Sequence, residues 1–538
     1  MASPLSPETR EAALAALSTA DLELLVVGGG VTGAGIARDA ALRGIRTALI
    51  ERVDFAAGTS SRSSKLIHGG VRYLEQGDVG LVRESASERA VLRHIAPHLC
   101  EPQLMVMPTY SMGMHVKLRA GLWTFDKVAS VPGDERHAMW DRDEAVARAH
   151  AAHRPPLRGR HVRRERDRRP RLVLDTVKGA HEAGALCANH AEDRARGPLR
   201  RAPKRRFATR PGANRRIRAR VVVNAAGPWV EEVCGRAGAR TSRRLHLTKG
   251  VHLVIPHARL PIRHIVVMQA RDRRSAFAVP RDGMVYVGTT DTSFGAPVLY
   301  PDVTREDADY LLDAANRSFA GAPLTRDDVV AAWAGLRPLL HEEGKAPSEI
   351  SRKDEIMTDP GTGLISIAGG KLTTYRRMAE RVVDLVCERL DRKDTACQTD
   401  QVPLPSGVAP GHPTAPSGSP ALHLPPDGTE RLARLYGADV LRLLGRVAVD
   451  GDAGRRGRHP HRAPRRDPAR DRGRDGAHAH RHPQRRTRAL LFDPQQGLGG
   501  VEAVAEIAAR RLGWSAQRTQ AEVDEYRRLA ASLRSFPE

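Results

Sequence analysis

The chain has 538 residues and a formal net charge of +24, with only 4% aromatic residues and five cysteines. That length is enough for two or three domains and a sizeable core. Cys100, Cys187, Cys234, Cys387 and Cys397 form no CxxC pair and are odd in number, which argues against a disulfide scaffold or a zinc site and fits a reducing cytosol.

The basic balance points on its face to nucleic acid or an anionic membrane. The distribution argues against nucleic acid. Roughly half of the arginine excess lies in three patches, near 152–171, 194–220 and 455–488. The low aromatic content also supplies few stacking platforms for a single strand. No basic-then-apolar leader opens the chain, and no apolar run approaches the ~20 residues of a membrane-spanning helix. A cytoplasmic protein, soluble or at most peripheral to a membrane, is expected, with no metal.

Residues 1–20 read as a short helix or a loose leader. An apolar run, Leu22 to Val27, then has the character of a buried parallel strand. Gly28-x-Gly30-x-x-Gly33 follows, then a helical stretch to about Arg43 and a second strand, Thr47 to Ile50, ending in Glu51. This is the dinucleotide fingerprint in a βαβ unit. Gly28 permits the tight turn, Gly30 lets the backbone approach a pyrophosphate, and Gly33 lets the helix pack close. The helix N-terminus offers N–H groups to the phosphates. Glu51 stands where a carboxylate binds ribose hydroxyls, which favours an adenosine without a 2′-phosphate.

Residues 78–99 have helical apolar spacing and stop near Pro97. Residues 104–140 are expected to mix strands and turns, with Trp123 and Phe125 in a core. A helix is expected over 172–186, a buried strand over 219–224 entering a glycine turn, and an antiparallel sheet over 246–300. Helices are expected over 304–318 and 326–333, a strand over 363–369, and a helix over about 374–390. Residues 403–427 read as a Pro/Gly/Ser-rich linker, and 501–512 as an amphipathic helix.

The expected fold class is α/β, α+β overall. A discontinuous Rossmann-like nucleotide domain (21–100, 172–240 and 355–392) carries an inserted antiparallel-sheet substrate domain (101–171 and 241–354). A linker (393–427) and a helical C-terminal domain (428–538) follow. The patches, taken as 152–171, 194–218 and 447–487, show neither helical nor strand period. Their Arg, Pro, Gly and Ala content is what a GC-rich gene read out of frame encodes. A compensated frameshift, or a disordered loop, is the expectation there.

The blocks GGGVTGAGIARDAALRG, GTSSRSSKLIHGGVRYLE, VVNAAGPWV, LTKGVHLVIP, VGTTDT, GLRPLL and GGKLTTYRRMAE occur in that order. In these the chain resembles the FAD-dependent (aerobic-type, quinone-linked) glycerol-3-phosphate dehydrogenases, from about residue 21 to 390 and again near 485–530. The resemblance implies oxidation of sn-glycerol 3-phosphate to dihydroxyacetone phosphate, with hydride transfer from C2 to N5 of FAD. It also implies electron delivery to a quinone and peripheral attachment to the cytoplasmic membrane. Oligomeric state stays open, a homodimer included.

The resemblance also suggests roles. Thr59, Ser60, Ser61, Ser63, Ser64, Lys65 and Leu66 would wrap the pyrophosphate and flavin, with His68 contacting flavin or backbone. Ala226 and Gly227 would line the adenosine side. Gly369, Gly370, Leu372 and Thr373 would place a second helix N-terminus at the flavin ring, stabilising negative charge there. Arg72, Tyr73, Arg337, Arg352 and Lys371 are the substrate candidates, because guanidinium and ammonium groups hold phosphate. His252 is the natural acceptor of the C2 hydroxyl proton, its ordinary pKa being near neutrality. Arg337 would assist by stabilising the alkoxide. A related flavin enzyme with another donor, or an inactive product of a frameshifted gene, are the alternatives.

Overall fold

The structure, a computed structural model of the full chain, describes residues 5–67, 78–131, 133, 136–140, 158–167, 169–193, 204–208, 214–341, 354–392, 395–407, 432–440 and 488–538.

The first sheet is ordered Glu355–Thr358, Ile365–Ala368, Asn214–Asn224, Leu22–Val27, Thr47–Ile50, Leu186–Ala188. All neighbours are parallel except the Glu355–Thr358 edge. Its central strand is apolar without alternation because both faces are covered. Leu24 and Val26 pack with Ile36 and Ala40 of the Val31–Leu42 helix and Val383 of the Tyr375–Leu390 helix. Leu25 and Val27 pack on the other side with Leu14, Leu17 and Val233. The strands from three distant stretches of the chain all end at one edge, at Val27, Ile50, Asn224 and Ala368. Ligands of doubly wound sheets bind along such an edge.

The second sheet is centred on Leu245–Pro256. That strand is antiparallel to Ala331–Leu340 and to Met284–Gly288. Val251, Leu253 and Ile255 point to the Arg305–Ser318 helix, packing with Leu311 and Leu312. Lys249, with the same parity, forms a 2.5 Å ion pair with Asp307 of that helix. The alternate residues, Thr248, Gly250, His252 and Val254, therefore occupy the other face. The C-terminal helices Val501–Leu512 and Ala516–Ser532 form their own core. The chain beyond them returns to this sheet, where Leu533 C=O accepts from Ala332 N–H at 2.8 Å.

Three expectations are corrected. Residues 104–140 contain a 17-residue helix, Met112–Val128, capped by Ser111, whose hydroxyl accepts from Met114 N–H. It has apolar residues on two faces, which hides the helical period. Phe125 is buried as expected, but Trp123 is 60% exposed. Residues 326–333 hold only a short turn, Arg326–Asp328, before the Ala331–Leu340 strand begins. Alanine-rich buried strands lack the alternation that would have marked this one.

The third correction concerns the disordered loop expected in the first two arginine patches, whose described residues include strands. Arg158–Asp167 is a strand, paired over ten residues with Cys100–Thr109. Lys204–Ala208 pairs with Asn214–Arg218. Ladder hydrogen bonds use backbone groups, which arginines carry as well as valines do. Side-chain patterning was therefore a poor guide to backbone pairing. The third patch, 447–487, lies outside the described residues.

Candidate active site

At the carboxyl edge of the first sheet, Gly28 has φ of +112°. A Cβ on Gly33 would lie 1.9 Å from the Gly28 carbonyl oxygen, so the helix packs on the turn as closely as backbone allows. Glu51 holds this turn from beneath. Its two oxygens accept from Gly29 N–H and Val53 N–H, each at 2.8 Å. Burial pushes its carboxyl above the ordinary range, opposed by those two N–H groups. The Ser60 hydroxyl reaches across to accept from Val31 N–H, the first of the helix, at 3.0 Å.

These groups border a groove whose lining extends from Gly28 and Glu51 across to Trp229 and Pro338. Gly28, Gly30, Glu51, Thr59, Ser60, Ala226, Gly227, Gly369, Gly370, Lys371 and Leu372 all line it. Thr373 is buried behind, next to Thr374, which begins the Tyr375–Leu390 helix.

The serine-rich run divides into two parts. Its beginning faces the groove. Its end ties the two sheets together. Thr59 donates to Leu336 C=O at 2.6 Å, and Lys65 donates to Ser61 C=O at 2.7 Å. The Lys65 ammonium lies 4.4 Å from the centre of the Trp333 ring. Ser63 accepts from Lys65 N–H at 3.4 Å. Ser64 Oγ is 3.0 Å from His252 Nε2, and Ser64 C=O accepts from the Tyr286 hydroxyl at 2.8 Å. Leu66 packs with Tyr286 and Trp333. Thr59 and these later residues thus connect the groove to the second sheet.

His252 is 1% exposed and lies flat on Trp333, its partner across the strands. The close approach of the neighbouring strand depends on Gly288, where a Cβ would come within 2.3 Å of the imidazole. Arg337 projects from the strand beside. Its guanidinium donates to Asp291 Oδ1 at 2.8 Å, Thr289 Oγ1 at 2.9 Å and Thr290 C=O at 3.2 Å. It crosses over Gly250, where a Cβ would be 2.4 Å from Nη2. Gly250 and His252 are two residues apart on one face of one strand, about 7 Å. A carboxylate-anchored guanidinium and an imidazole are thereby neighbours, which is the pair an alcohol bearing an anionic group calls for.

The structure thus brings Arg337 and His252 together and puts Lys371 in the groove. His68, Arg72, Tyr73 and Arg352 lie outside the described residues. Four contributors escaped the reading of the sequence: Gly250, Tyr286, Asp291 and Trp333. Gly250 and Asp291 stand inside the LTKG and VGTTDT blocks, so the signal was present. Their task follows from the position of Arg337 between them, which the fold alone sets.

The FAD dependent oxidoreductase family profile matches residues 23–376. The chain belongs to this family. It is similar to the aerobic glycerol-3-phosphate dehydrogenase of Staphylococcus haemolyticus, 39% identical over 83% of this chain and 84% of that one. The Staphylococcus aureus (strain USA300) enzyme of the same name is 40% identical over 82% of each chain. Among solved structures, the glycerol-3-phosphate dehydrogenase of Bacillus halodurans complexed with FAD superposes with a TM-score of 0.79. It covers 98% of both chains at 32% identity. Glycine oxidase of Geobacillus kaustophilus, at 20% identity and a TM-score of 0.55, shares the fold.

As a member of the FAD-dependent oxidoreductases, this flavoprotein should hold its cofactor in the groove, and the groove fits it. At Gly28 and Gly30 the turn presents backbone without side chains to the groove, the Val31–Leu42 helix begins there, and Glu51 is fixed beside it. Bound FAD supplies the two-electron acceptor that no side chain provides.

Proposed function

We propose that this flavoprotein oxidises sn-glycerol 3-phosphate at C2 to dihydroxyacetone phosphate, passing the electrons to a quinone at the cytoplasmic membrane surface. The observation that carries the reading is the placement of His252 and Arg337 on one face of the second sheet, with Arg337 crossing over Gly250. The names of relatives about 40% identical over four fifths of the chain support the substrate.

His252 accepts the C2 hydroxyl proton. Ser64 and Trp333 hold the imidazole in the plane and position that this transfer needs. Arg337, kept in place by Asp291 and Thr289, presents positive charge to the alkoxide or the phosphate. Lys371, lining the groove, is the second cation for the phosphate. Arg72, Tyr73 and Arg352 complete the proposed substrate set, and Ser60, Glu51, Ala226 and Gly370 stand among the residues that hold the cofactor. Among the described residues no helix is long and apolar enough to cross a membrane, so attachment is proposed to be peripheral. A homodimer is compatible with this scheme.

The test is anaerobic mixing of purified yellow protein with glycerol 3-phosphate. Bleaching of the flavin band, and its recovery on adding a short-chain quinone, is the expected outcome. Bleaching by glycine or proline but not by glycerol 3-phosphate would overturn the substrate.

A further inference from the structure

The imidazole of His252 is enclosed on several sides. Trp333 covers one face, stacked at 4.7 Å. Gly288 lies so close to the Cγ–Cδ2 edge that a methyl group there would come within 2.3 Å of it. The Tyr286 ring stands edge-on at 6.1 Å. Of the two ring nitrogens, Nδ1 is buried and Nε2 faces Ser64 Oγ at 3.0 Å. His252 is 1% exposed, whereas Ser64 is half-buried. The serine is therefore the member of the pair more open to an entering molecule.

Ser64 is also held where it stands. Its C=O accepts from the Tyr286 hydroxyl at 2.8 Å. The next residue, Lys65, has φ of +54°, a conformation that costs energy in a residue with a side chain and persists where the surroundings impose it. Buried Lys65 secures the turn by donating its ammonium to Ser61 C=O at 2.7 Å. A hydroxyl both donates and accepts hydrogen bonds. Fixed between an alcohol and an imidazole, it can take up one proton while releasing another, with no charge left on its own oxygen.

We propose that Ser64 is a catalytic residue, its hydroxyl taking the proton of the substrate's C2 alcohol while passing its own proton to Nε2 of His252. The substrate O–H bond and the Ser64 O–H bond break together. A renewed serine hydroxyl and a protonated imidazole form, and the electron pair of the C2–H bond goes to the bound FAD as C2 becomes a ketone. The inference rests on the function proposed above and changes the path of the proton, which reaches His252 through the serine.

The experiment is rapid mixing of the FAD-loaded full chain with saturating glycerol 3-phosphate in mixtures of light and heavy water. Two protons moving in one step make the rate of flavin bleaching fall along a curve as the deuterium fraction rises, whereas one proton gives a straight line. Wild type should give the curve. Ser64→Ala should bleach about a hundredfold more slowly, the usual share of a positioned proton carrier, and should give the straight line. Ser64→Thr, which keeps the hydroxyl, should recover most of the loss. Flavin content, and the spectral shift on binding dihydroxyacetone phosphate, should be the same in all three proteins, which separates proton transfer from folding and binding. A straight line in wild type, or a rate or curve unaltered by Ser64→Ala, would overturn the relay and leave the function standing. A wild type that glycerol 3-phosphate does not bleach would overturn the function and the relay together.

Discussion

The imidazole of His252 lies on the indole of Trp333 with ring centroids 4.7 Å apart and planes 8° from parallel. Phe492, from the C-terminal part of the chain, meets the same indole edge-on at 6.2 Å. The ring proposed to take the substrate proton is therefore held by three elements that are far apart in sequence. His252→Ala should slow flavin reduction by on the order of a hundredfold or more, the usual contribution of a positioned base. Flavin content should not change. Trp333→Leu should cost less, about two- to tenfold, through lost orientation. Rapid-mixing absorbance at saturating glycerol 3-phosphate separates the two. Undiminished reduction in His252→Ala would remove it from the role of base.

Gly250→Ala tests the Arg337 cradle. The added methyl would meet Nη2 at 2.4 Å and the Thr289 hydroxyl at 2.7 Å. The guanidinium must then move off its anchors. Losing a hydrogen bond to a charged group costs roughly 1.5–3 kcal/mol, so kcat/KM for glycerol 3-phosphate should fall about ten- to a hundredfold. The flavin spectrum should stay as in wild type, since Gly250 lies in the second sheet. An unchanged kcat/KM would show that Arg337 needs no such path.

Two glycines with opposite surroundings make a controlled comparison. Gly33→Ala places a methyl 1.9 Å from a backbone carbonyl oxygen, which cannot rotate away. Gly235, within the Val230–Ala237 helix, has open space at the same position. Gly33→Ala should yield protein that retains little flavin and melts early. Gly235→Ala should retain flavin and gain about 0.5–1 kcal/mol through helix propensity. Flavin content by absorbance and thermal unfolding curves check both.

Two carboxylates set part of the acid stability. The Arg259 guanidinium and Thr325 N–H hold Asp328 below its ordinary value of 3.8. Hydrogen bonds from the Thr362 hydroxyl and from Arg240 N–H do the same for Asp359. Because the folded values lie below the unfolded ones, the stabilisation is complete above the unfolded pKa. It disappears as pH falls through the folded value. Asp328→Asn and Asp359→Asn should each lower the urea midpoint modestly at about pH 7, and the gap to wild type should close as pH falls below the ordinary aspartate range. A gap that persists in acid would point to packing instead.

Much of the nucleotide half was legible in the chain. Leu22–Val27, the three glycines and Glu51 form a local pattern whose geometry is determined within about thirty residues. The sheet edge confirms their arrangement at Gly29 and Gly33. The Met112–Val128 helix was not legible, because apolar residues on both faces erase the periodicity by which helices are read. Arg158–Asp167 was not legible as a strand for the opposite reason. It has no apolar period, yet ten backbone pairings hold it in place.

By itself the sequence determined the βαβ nucleotide unit, the residue types proposed for catalysis and the order of the blocks that carry them. These depend on local backbone preference and on side-chain chemistry. Only the tertiary structure decided that Ser64 serves His252, that Asp291 anchors Arg337, and that Gly250 lies beneath the guanidinium. Those relationships link positions separated by 188, 46 and 87 residues. No local preference encodes them. Strand register and the packing of one sheet on another bring them within bonding distance.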